Sequence, residues 1–206
     1  MNRHCQLGCL YLVATPIGNL GDITLRAIDV LRGVDLIAAE DTRHSKKLLN
    51  HYDITTPTLS LHNYNEAART AQLITRLQQG ADIALIADAG TPLISDPGYR
   101  LVAQAHRHGI KVIPIPGACA AIAGLVASGL PTDQFVFAGF LPIKDAARKK
   151  HLAAFVSESR TIIFYESVHR IINFLNLLNE VFGGDRVAAV ARELTKTFET
   201  IRQATL

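Results

Sequence analysis

The chain has 206 residues, of which 49% are hydrophobic and 19% charged, and this composition excludes an intrinsically disordered protein. No apolar run approaches the ~18 to 20 residues that a membrane-spanning helix needs, and the first apolar run, at 9–14, is too short for a signal-peptide core. We therefore expect a globular cytoplasmic protein. The formal net charge of +3 permits a nucleic-acid partner without indicating one.

The first half of the chain alternates short apolar runs with amphipathic stretches. The apolar runs predict strands at 10–14, 36–39, 83–87 and 111–115. The amphipathic stretches carry apolar residues at helical spacing and predict helices at 23–34, 65–79 and 99–108. Because unbroken apolar strands alternate with helices, we predict an α/β fold with a mostly parallel sheet and crossover helices.

The alternation restarts after Pro116. Strands are predicted at 135–138, 161–165 and 187–191, and helices at 118–128, 145–156 and 168–182. Two α/β domains follow from this restart, one over residues 1–117 and one over 118–206. The polar, threonine-rich end contains no further predicted element, so we expect the second domain to be incomplete.

The cysteines do not indicate a disulfide framework or a metal site. Cys5, Cys9 and Cys119 cannot all pair, and no second Cys/His pair accompanies Cys5 and Cys9 to complete a zinc site. We expect incidental or structural thiols and no bound metal.

Four segments rich in glycine and proline follow predicted strands, at 15–21, 88–92, 95–98 and 114–120. Any one of them alone is explained as a turn. Four at the carboxyl edge of one parallel sheet favour a ligand cleft, because small residues let the backbone approach a ligand closely. The G-x-x-x-x-G-K-[ST] phosphate loop and the G-x-G-x-x-G dinucleotide fingerprint are both absent from the sequence.

Charged residues gather at two places. The segment 40–43 ends a predicted strand with two acids and a base, and the acids alone are explained by a helix N-terminus that Asp41 or Thr42 caps. Basic residues cluster at Arg43, Lys46 and Lys47, and again at Lys144, Arg148, Lys149 and Lys150. Each cluster is either a solvated helix face or a set of phosphate contacts.

Taken together, these segments resemble the tetrapyrrole-methylase-like, S-adenosylmethionine-dependent methyltransferases. Within that superfamily the chain is similar to the group that methylates the ribose 2′-oxygen of a cytidine in 16S rRNA. The matching segments span nearly the whole chain and lie at 12–20, 39–43, 88–98, 164–170 and 191–196.

The resemblance implies two α/β domains, the methyl donor S-adenosylmethionine, a homodimer, and 16S rRNA of the small ribosomal subunit as the partner. It also implies a longer chain than this one. The donor-binding residues implied are Pro16, Thr91, Ile94, Gly117, Ala118, Cys119, Ala120 and Tyr165. The RNA-binding residues implied are Arg43, Lys46, Lys47, Arg170, Arg192 and Lys196.

Transfer to a hydroxyl oxygen needs a group that accepts its proton as the C–O bond forms. The sequence leaves five candidates open: Glu40, Asp41, Glu66, Glu166 and Lys196. Two other functions also remain open: methylation of a small tetrapyrrole or a protein side chain on the same fold, and a non-catalytic RNA-binding or assembly role.

Overall fold

The computed structural model describes residues 7–206, so Cys5 lies outside the described part. The chain divides into two compact units between Cys119 and Ala120. Cys9 and Cys119 are both free thiols. None of the helices described is long and apolar enough to cross a membrane.

The first unit is built on a five-stranded parallel sheet with strand order β3-β2-β4-β1-β5. The strands are β1 (Cys9–Val13), β2 (Leu36–Ala39), β3 (Thr58–Ser60), β4 (Ile83–Ile86) and β5 (Lys111–Ile115). The helices are α1 (Leu25–Gly33), α2 (Thr42–His51), α3 (Glu66–Gln78) and α4 (Tyr99–Arg107), with a short 3-10 helix at Leu20–Asp22.

Helices cover both faces of this sheet. Successive side chains of a strand point to opposite faces, and on β2 Leu36 and Ala38 join the apolar cluster that contains α3 and α4. Ile37 and Ala39 join the cluster that contains α1 and α2. All residues of β2 and β4 are buried, as expected for parallel strands covered on both sides.

The second unit contains two separate two-stranded sheets. Strands β6 (Phe135–Phe140) and β7 (Thr161–Tyr165) pair in parallel, and β8 (Val187–Arg192) and β9 (Thr200–Thr205) pair antiparallel. The helices are α5 (Ala120–Ala127), α6 (Asp145–Ala153) and α7 (Ile171–Phe182). The apolar core of this unit is formed chiefly by α7 with Leu141 and Leu152.

The α/β fold class with a mostly parallel sheet is confirmed, and two details of the elements are corrected. The polar end of the chain is not without structure, because its residues form β9 against β8. β3, of only three residues, was also missed. Both strands carry polar residues and lack the unbroken apolar run that marks a buried strand.

Candidate active site

The carboxyl ends of four parallel strands lie at one edge of the first unit's sheet, where β2, β4, β1 and β5 are neighbours in that order. The loops at 14–21, 87–98 and 116–119 begin where β1, β4 and β5 end. In open parallel sheets this edge is where ligands bind. The structure therefore brings the predicted glycine- and proline-rich segments of this unit to one place.

Hydrogen bonds join these three loops directly. The Thr15 and Gly90 amides each donate to the other residue's carbonyl, at 2.9 and 3.0 Å. The buried Thr15 hydroxyl also donates to the Ala87 carbonyl at 3.2 Å. The Thr91 hydroxyl, in the predicted donor set, donates to the Ala118 carbonyl at 3.0 Å. The loops after β1, β4 and β5 thus form one connected surface.

Two glycines make this close approach possible. A Cβ added to Gly117 would lie 2.9 Å from the Ala14 Cβ, too close for any side chain. Gly90 has a φ of +86°, and a Cβ there would lie 3.2 Å from the Ile17 side chain. Only glycine fits the spacing at residue 117, and only glycine combines the tight spacing with the left-handed conformation at residue 90.

The loop after β4 is conformationally strained. Leu93 and Ser95 adopt φ values of 72° and 68°, which residues with side chains rarely take. Ile94, predicted to contact the donor, lies between them and is 37% exposed. Strained residues of this kind collect at ligand-binding sites, where the surrounding structure holds them.

Three carboxylates interact at the ends of β2 and β4. Burial, followed by the charges of Glu40 and Asp88, raises the pKa of Asp96 to about 6. Burial, followed by the charge of Asp88, raises the pKa of Glu40 as well. Sequence reasoning did not nominate Asp88 or Asp96, although both lie in the loop segments that it singled out.

The candidate acid Asp41 accepts several hydrogen bonds at the start of α2. It caps the N-terminus of α2 by accepting the Arg43 amide at 2.8 Å. The Arg43 guanidinium also donates to both of its carboxylate oxygens, at 3.3 and 3.1 Å. These bonds from Arg43 lower the pKa of Asp41 to about 2, which makes Asp41 a poor proton acceptor at neutral pH.

Two further candidate acids are also held by hydrogen bonds. The Glu66 carboxylate accepts the amides of Gly98 and Arg100, both at 3.1 Å, at the start of α4. In the second unit, the buried Glu166 carboxylate forms a 2.6 Å ion pair with Arg170. Both groups therefore perform structural tasks.

The two predicted basic clusters differ in exposure. Arg43, Lys46 and Lys47 are all exposed on α2. In the second cluster, Arg148 is buried and donates to the carbonyls of Pro142 and Ile143, at 3.0 and 3.2 Å. Neither a solvated helix face nor phosphate contacts, the two alternatives for this cluster, describes Arg148, because it lies with Leu152 on the buried face of α6.

The turn between β8 and β9 carries Lys196, and Arg192 is the last residue of β8. Lys196 pairs with Glu193 at 3.1 Å, and both side chains are about half-exposed. Glu193 and Thr195 adopt φ values of 52° and 67°. The turn is another strained segment that presents a cation to solvent.

Tyr165, predicted to bind the donor, lies at the end of β7. Its hydroxyl accepts the Ala121 amide, in the first turn of α5, at 3.0 Å. The rings of Phe137 and Phe140 pack against it, with centroids 5.1 and 5.4 Å away. Tyr165 and Ala120 line a cavity of about 740 Å³ within the second unit. No metal-binding group of three or more side chains occurs among residues 7–206.

The first unit is a parallel sheet with loops gathered at its carboxyl edge, and a second α/β unit follows it. The model of the tetrapyrrole (corrin/porphyrin) methylases matches residues 9–206, and the chain belongs to this family. It is a methyltransferase.

Comparison with individual relatives gives a more specific match than the family model does. The chain is 57% identical to "Ribosomal RNA small subunit methyltransferase I" of Pseudomonas aeruginosa, over 97% of this chain and 71% of the relative. It is 58% identical to the protein of the same name from Vibrio cholerae, over 94% of this chain and 67% of the relative.

Solved structures agree on the fold. A diphthine synthase superposes with a TM-score of 0.75 at 15% identity, covering 96% of this chain and 82% of the other. A uroporphyrin-III-C-methyltransferase from Thermus thermophilus superposes with a TM-score of 0.65 at 21% identity, covering 96% and 85%. At these identities the likeness concerns the fold alone.

Proposed function

We propose that this protein transfers a methyl group from S-adenosylmethionine to the ribose 2′-oxygen of a cytidine in 16S rRNA of the small ribosomal subunit. The observation that carries this proposal is the 57–58% identity, over nearly the whole chain, to relatives named as small subunit rRNA methyltransferases. The tetrapyrrole-modifying fold neighbour is too distant in sequence to favour a tetrapyrrole substrate.

The residues at the sheet edge suit the donor. The absence of side chains at Gly90 and Gly117 lets the loops after β1, β4 and β5 pack closely together. A compact set of loops at the carboxyl edge of a parallel sheet suits an amino-acid and nucleoside ligand. The residues that would hold it are Pro16, Thr91, Ile94, Gly117, Ala118, Cys119, Ala120 and Tyr165. The donor supplies an electrophilic methyl group on sulfur.

The exposed cations suit an RNA backbone. Arg43, Lys46 and Lys47 lie on one helix and are exposed, and the ion pair between Arg43 and Asp41 is surface-exposed and therefore weak. We assign these three, together with Arg170, Arg192 and Lys196, to contacts with the rRNA. Phosphate contacts of this kind make binding fall with rising salt.

Positioning the hydroxyl against the methyl group is the main task of such an enzyme, and it contributes about 7 to 11 kcal/mol. For the proton we assign Glu40 with Asp96. Burial and the charges of neighbouring carboxylates raise the pKa of both carboxyls. A carboxylate with a pKa of about 6, such as Asp96, is ionised at neutral pH yet basic enough to take a proton.

The test of the reaction is transfer of a tritiated methyl group to purified small ribosomal subunits and to naked 16S rRNA, followed by digestion to nucleosides. We expect the label on the ribose of cytidine. A label on the base would reject the 2′-O assignment. Absence of transfer together with no heat of donor binding in calorimetry would support a non-catalytic RNA-binding role.

The test of the RNA contacts uses Arg43→Ala and Lys196→Ala. We expect each to weaken methylation of small subunits and to leave donor binding intact. Unchanged transfer by both variants would refute the assignment. Asp29→Asn, which alters an exposed carboxylate on α1, is the control for a general effect of surface charge.

We also propose that the protein acts as a homodimer in the cytoplasm. Sedimentation velocity over a range of protein concentrations tests the dimer directly, and fractionation of cells that produce the protein tests the location.

A further inference from the structure

Two of the five tyrosines are exposed to solvent, and both lie at the carboxyl edge of the first unit's sheet. Tyr64, between β3 and α3, is 99% exposed, and Tyr99, the first residue of α4, is 76% exposed. The other three, Tyr11, Tyr52 and Tyr165, are partly buried. A single exposed apolar side chain needs no explanation. Two large rings at the edge where parallel sheets bind ligands point to a ligand with flat faces.

One carboxylate ties the backbones of these two tyrosines together. Glu66 follows Tyr64 by two residues. Its carboxylate accepts the amides of Gly98 and Arg100, which flank Tyr99, both at 3.1 Å. Because two residues of extended chain span at most ~7 Å, these bonds hold both tyrosines at one place on the sheet edge.

Hydrogen bonds also fix the turn that carries Tyr64. The Asn65 side-chain oxygen accepts the His62 amide at 2.9 Å, and the Asn65 side-chain amide donates to the Ser60 carbonyl at 3.3 Å. The Asn65 backbone amide donates to the His62 carbonyl at 3.0 Å. The His62 ring packs edge-on to the Tyr64 ring, with centroids 6.1 Å apart. A ring held in this way loses little conformational freedom when a ligand covers it, which favours binding.

The surroundings of the two tyrosines suit a nucleic acid. Tyr99 follows Asp96, to which we assign the proton, by three residues, and the exposed Arg100 comes next. The end of β3 lies beside the end of β2, since the Leu61 amide donates to the Ala39 carbonyl at 2.8 Å. The helix α2, with its exposed cations, begins three residues after Ala39. Aromatic rings beside cations are the combination with which proteins hold single-stranded RNA.

We propose that Tyr64 and Tyr99 form a stacking platform for unpaired bases of the rRNA that flank the methylated nucleotide. The proposal rests on the proposed rRNA methylation and adds contacts with bases to the contacts with the RNA backbone. Every base has a flat face, so the platform holds the strand without reading its sequence. The bases must be unstacked to reach it, so the substrate segment is single-stranded where it meets the platform.

A nucleobase suits this surface better than a second copy of the chain does. Tyr64 stands between Asn63 and Asn65, and Tyr99 is followed by Arg100. The centre of a dimer interface is apolar and depleted of charged residues. Isolated flat rings among polar and cationic side chains instead match the alternation of bases and phosphates along an RNA strand.

The first test measures methyl transfer to purified small subunits at saturating S-adenosylmethionine. We expect Tyr64→Ala and Tyr99→Ala each to raise KM for the subunits on the order of tenfold, the usual loss when a base loses its stacking partner. Calorimetric donor binding should not change. Tyr64→Phe and Tyr99→Phe keep the ring and should recover most of the lost affinity. Val156→Ala shortens an exposed apolar side chain of the second unit and should leave KM unchanged.

The second test separates stacking from phosphate contacts. Binding of the fluorophore-labelled protein to small subunits is followed by anisotropy, without the donor and over a range of salt concentrations. We expect the two alanine variants to weaken binding by the same factor at every salt concentration, because stacking releases no counterions. Lys46→Ala, which removes a proposed phosphate contact, should reduce the slope of log K against log salt by about one. Thermal unfolding should be nearly unchanged in the alanine variants, since both side chains are exposed.

Three results would overturn the proposal. The first is an unchanged KM and affinity in both alanine variants. The second is a loss in the phenylalanine variants as large as in the alanine variants, which would assign the effect to the hydroxyl groups. The third is dissociation of a dimer by the alanine variants in sedimentation velocity, which would make a second copy the occupant. Subunit binding that depends on the two rings, without methyl transfer by the unaltered chain, would reject the proposed reaction and support the platform.

Discussion

Asp96→Asn separates the stability of this protein from its activity. The folded state holds Asp96 with a pKa of about 6, against an ordinary value of 3.8, because burial and the charges of Glu40 and Asp88 disfavour its ionised form. At neutral pH the ionised carboxylate therefore destabilises the fold. An amide of nearly the same shape removes that charge, so we expect the variant to be more stable than the unaltered protein.

The size of the effect follows from the pKa. A rise of this size corresponds to ~3 kcal/mol at most, since each unit is worth about 1.4 kcal/mol. Asp96 is only half-buried, so water screens its repulsion and we expect about 1 kcal/mol.

The pH dependence has a definite sign. Because the pKa is raised on folding, the folded state binds the proton more tightly, and the unaltered protein gains stability as pH falls from above 6 towards 4. The advantage of the Asn variant is therefore full at pH 8 and reduced to roughly half by pH 5.

Urea unfolding at pH 8 and pH 5 measures this difference, with Asp29→Asn as the control for loss of an exposed carboxylate. In parallel, tritium transfer to small subunits should fall strongly in Asp96→Asn while donor binding persists. A variant that is less stable at pH 8, or whose advantage does not change with pH, would refute the electrostatic reasoning. Full activity would refute the assignment of the proton acceptor.

Three further changes test individual contacts in the two units. Arg148→Met removes the charged donor that the Pro142 and Ile143 carbonyls share and should lower the free energy of unfolding in urea by about 1–3 kcal/mol. Lys150→Met, at an exposed residue of the same helix, should have little effect. Gly98→Ala would put a Cβ at a φ of +125° and only 2.6 Å from a β4 side chain. Gly109→Ala, at a φ of +66°, would put a Cβ where nothing lies within 4 Å. In thermal unfolding we expect Gly109→Ala to lower the stability by about 1–2 kcal/mol and Gly98→Ala to lower it by more. Tyr165→Phe removes a hydrogen-bond acceptor at the start of α5 and should weaken calorimetric donor binding; unchanged affinity would exclude Tyr165 from the donor site.

The sequence by itself determined the fold class and most elements. Apolar runs such as Leu36–Ala39 and Thr161–Tyr165 became strands with the predicted bounds, because local hydrophobic periodicity is strong where a strand is covered on both sides. The sequence, through the resemblance of its motifs, also identified the methyltransferase family, and the family model confirmed it.

Tertiary structure alone decided how charged residues behave. Asp41 and Asp96 are the same residue type at the same sheet edge, yet the pKa of one falls to about 2 and that of the other rises to about 6. An exposed arginine two residues away, Arg43, is responsible for the first value. Burial and the charges of Glu40 and Asp88 are responsible for the second. Likewise, Arg148 reads as one of a basic run and is found in the core. The burial of Asp96 and Arg148, and the charge of Glu40 beside Asp96, depend on neighbours remote in sequence that only the folded chain brings together.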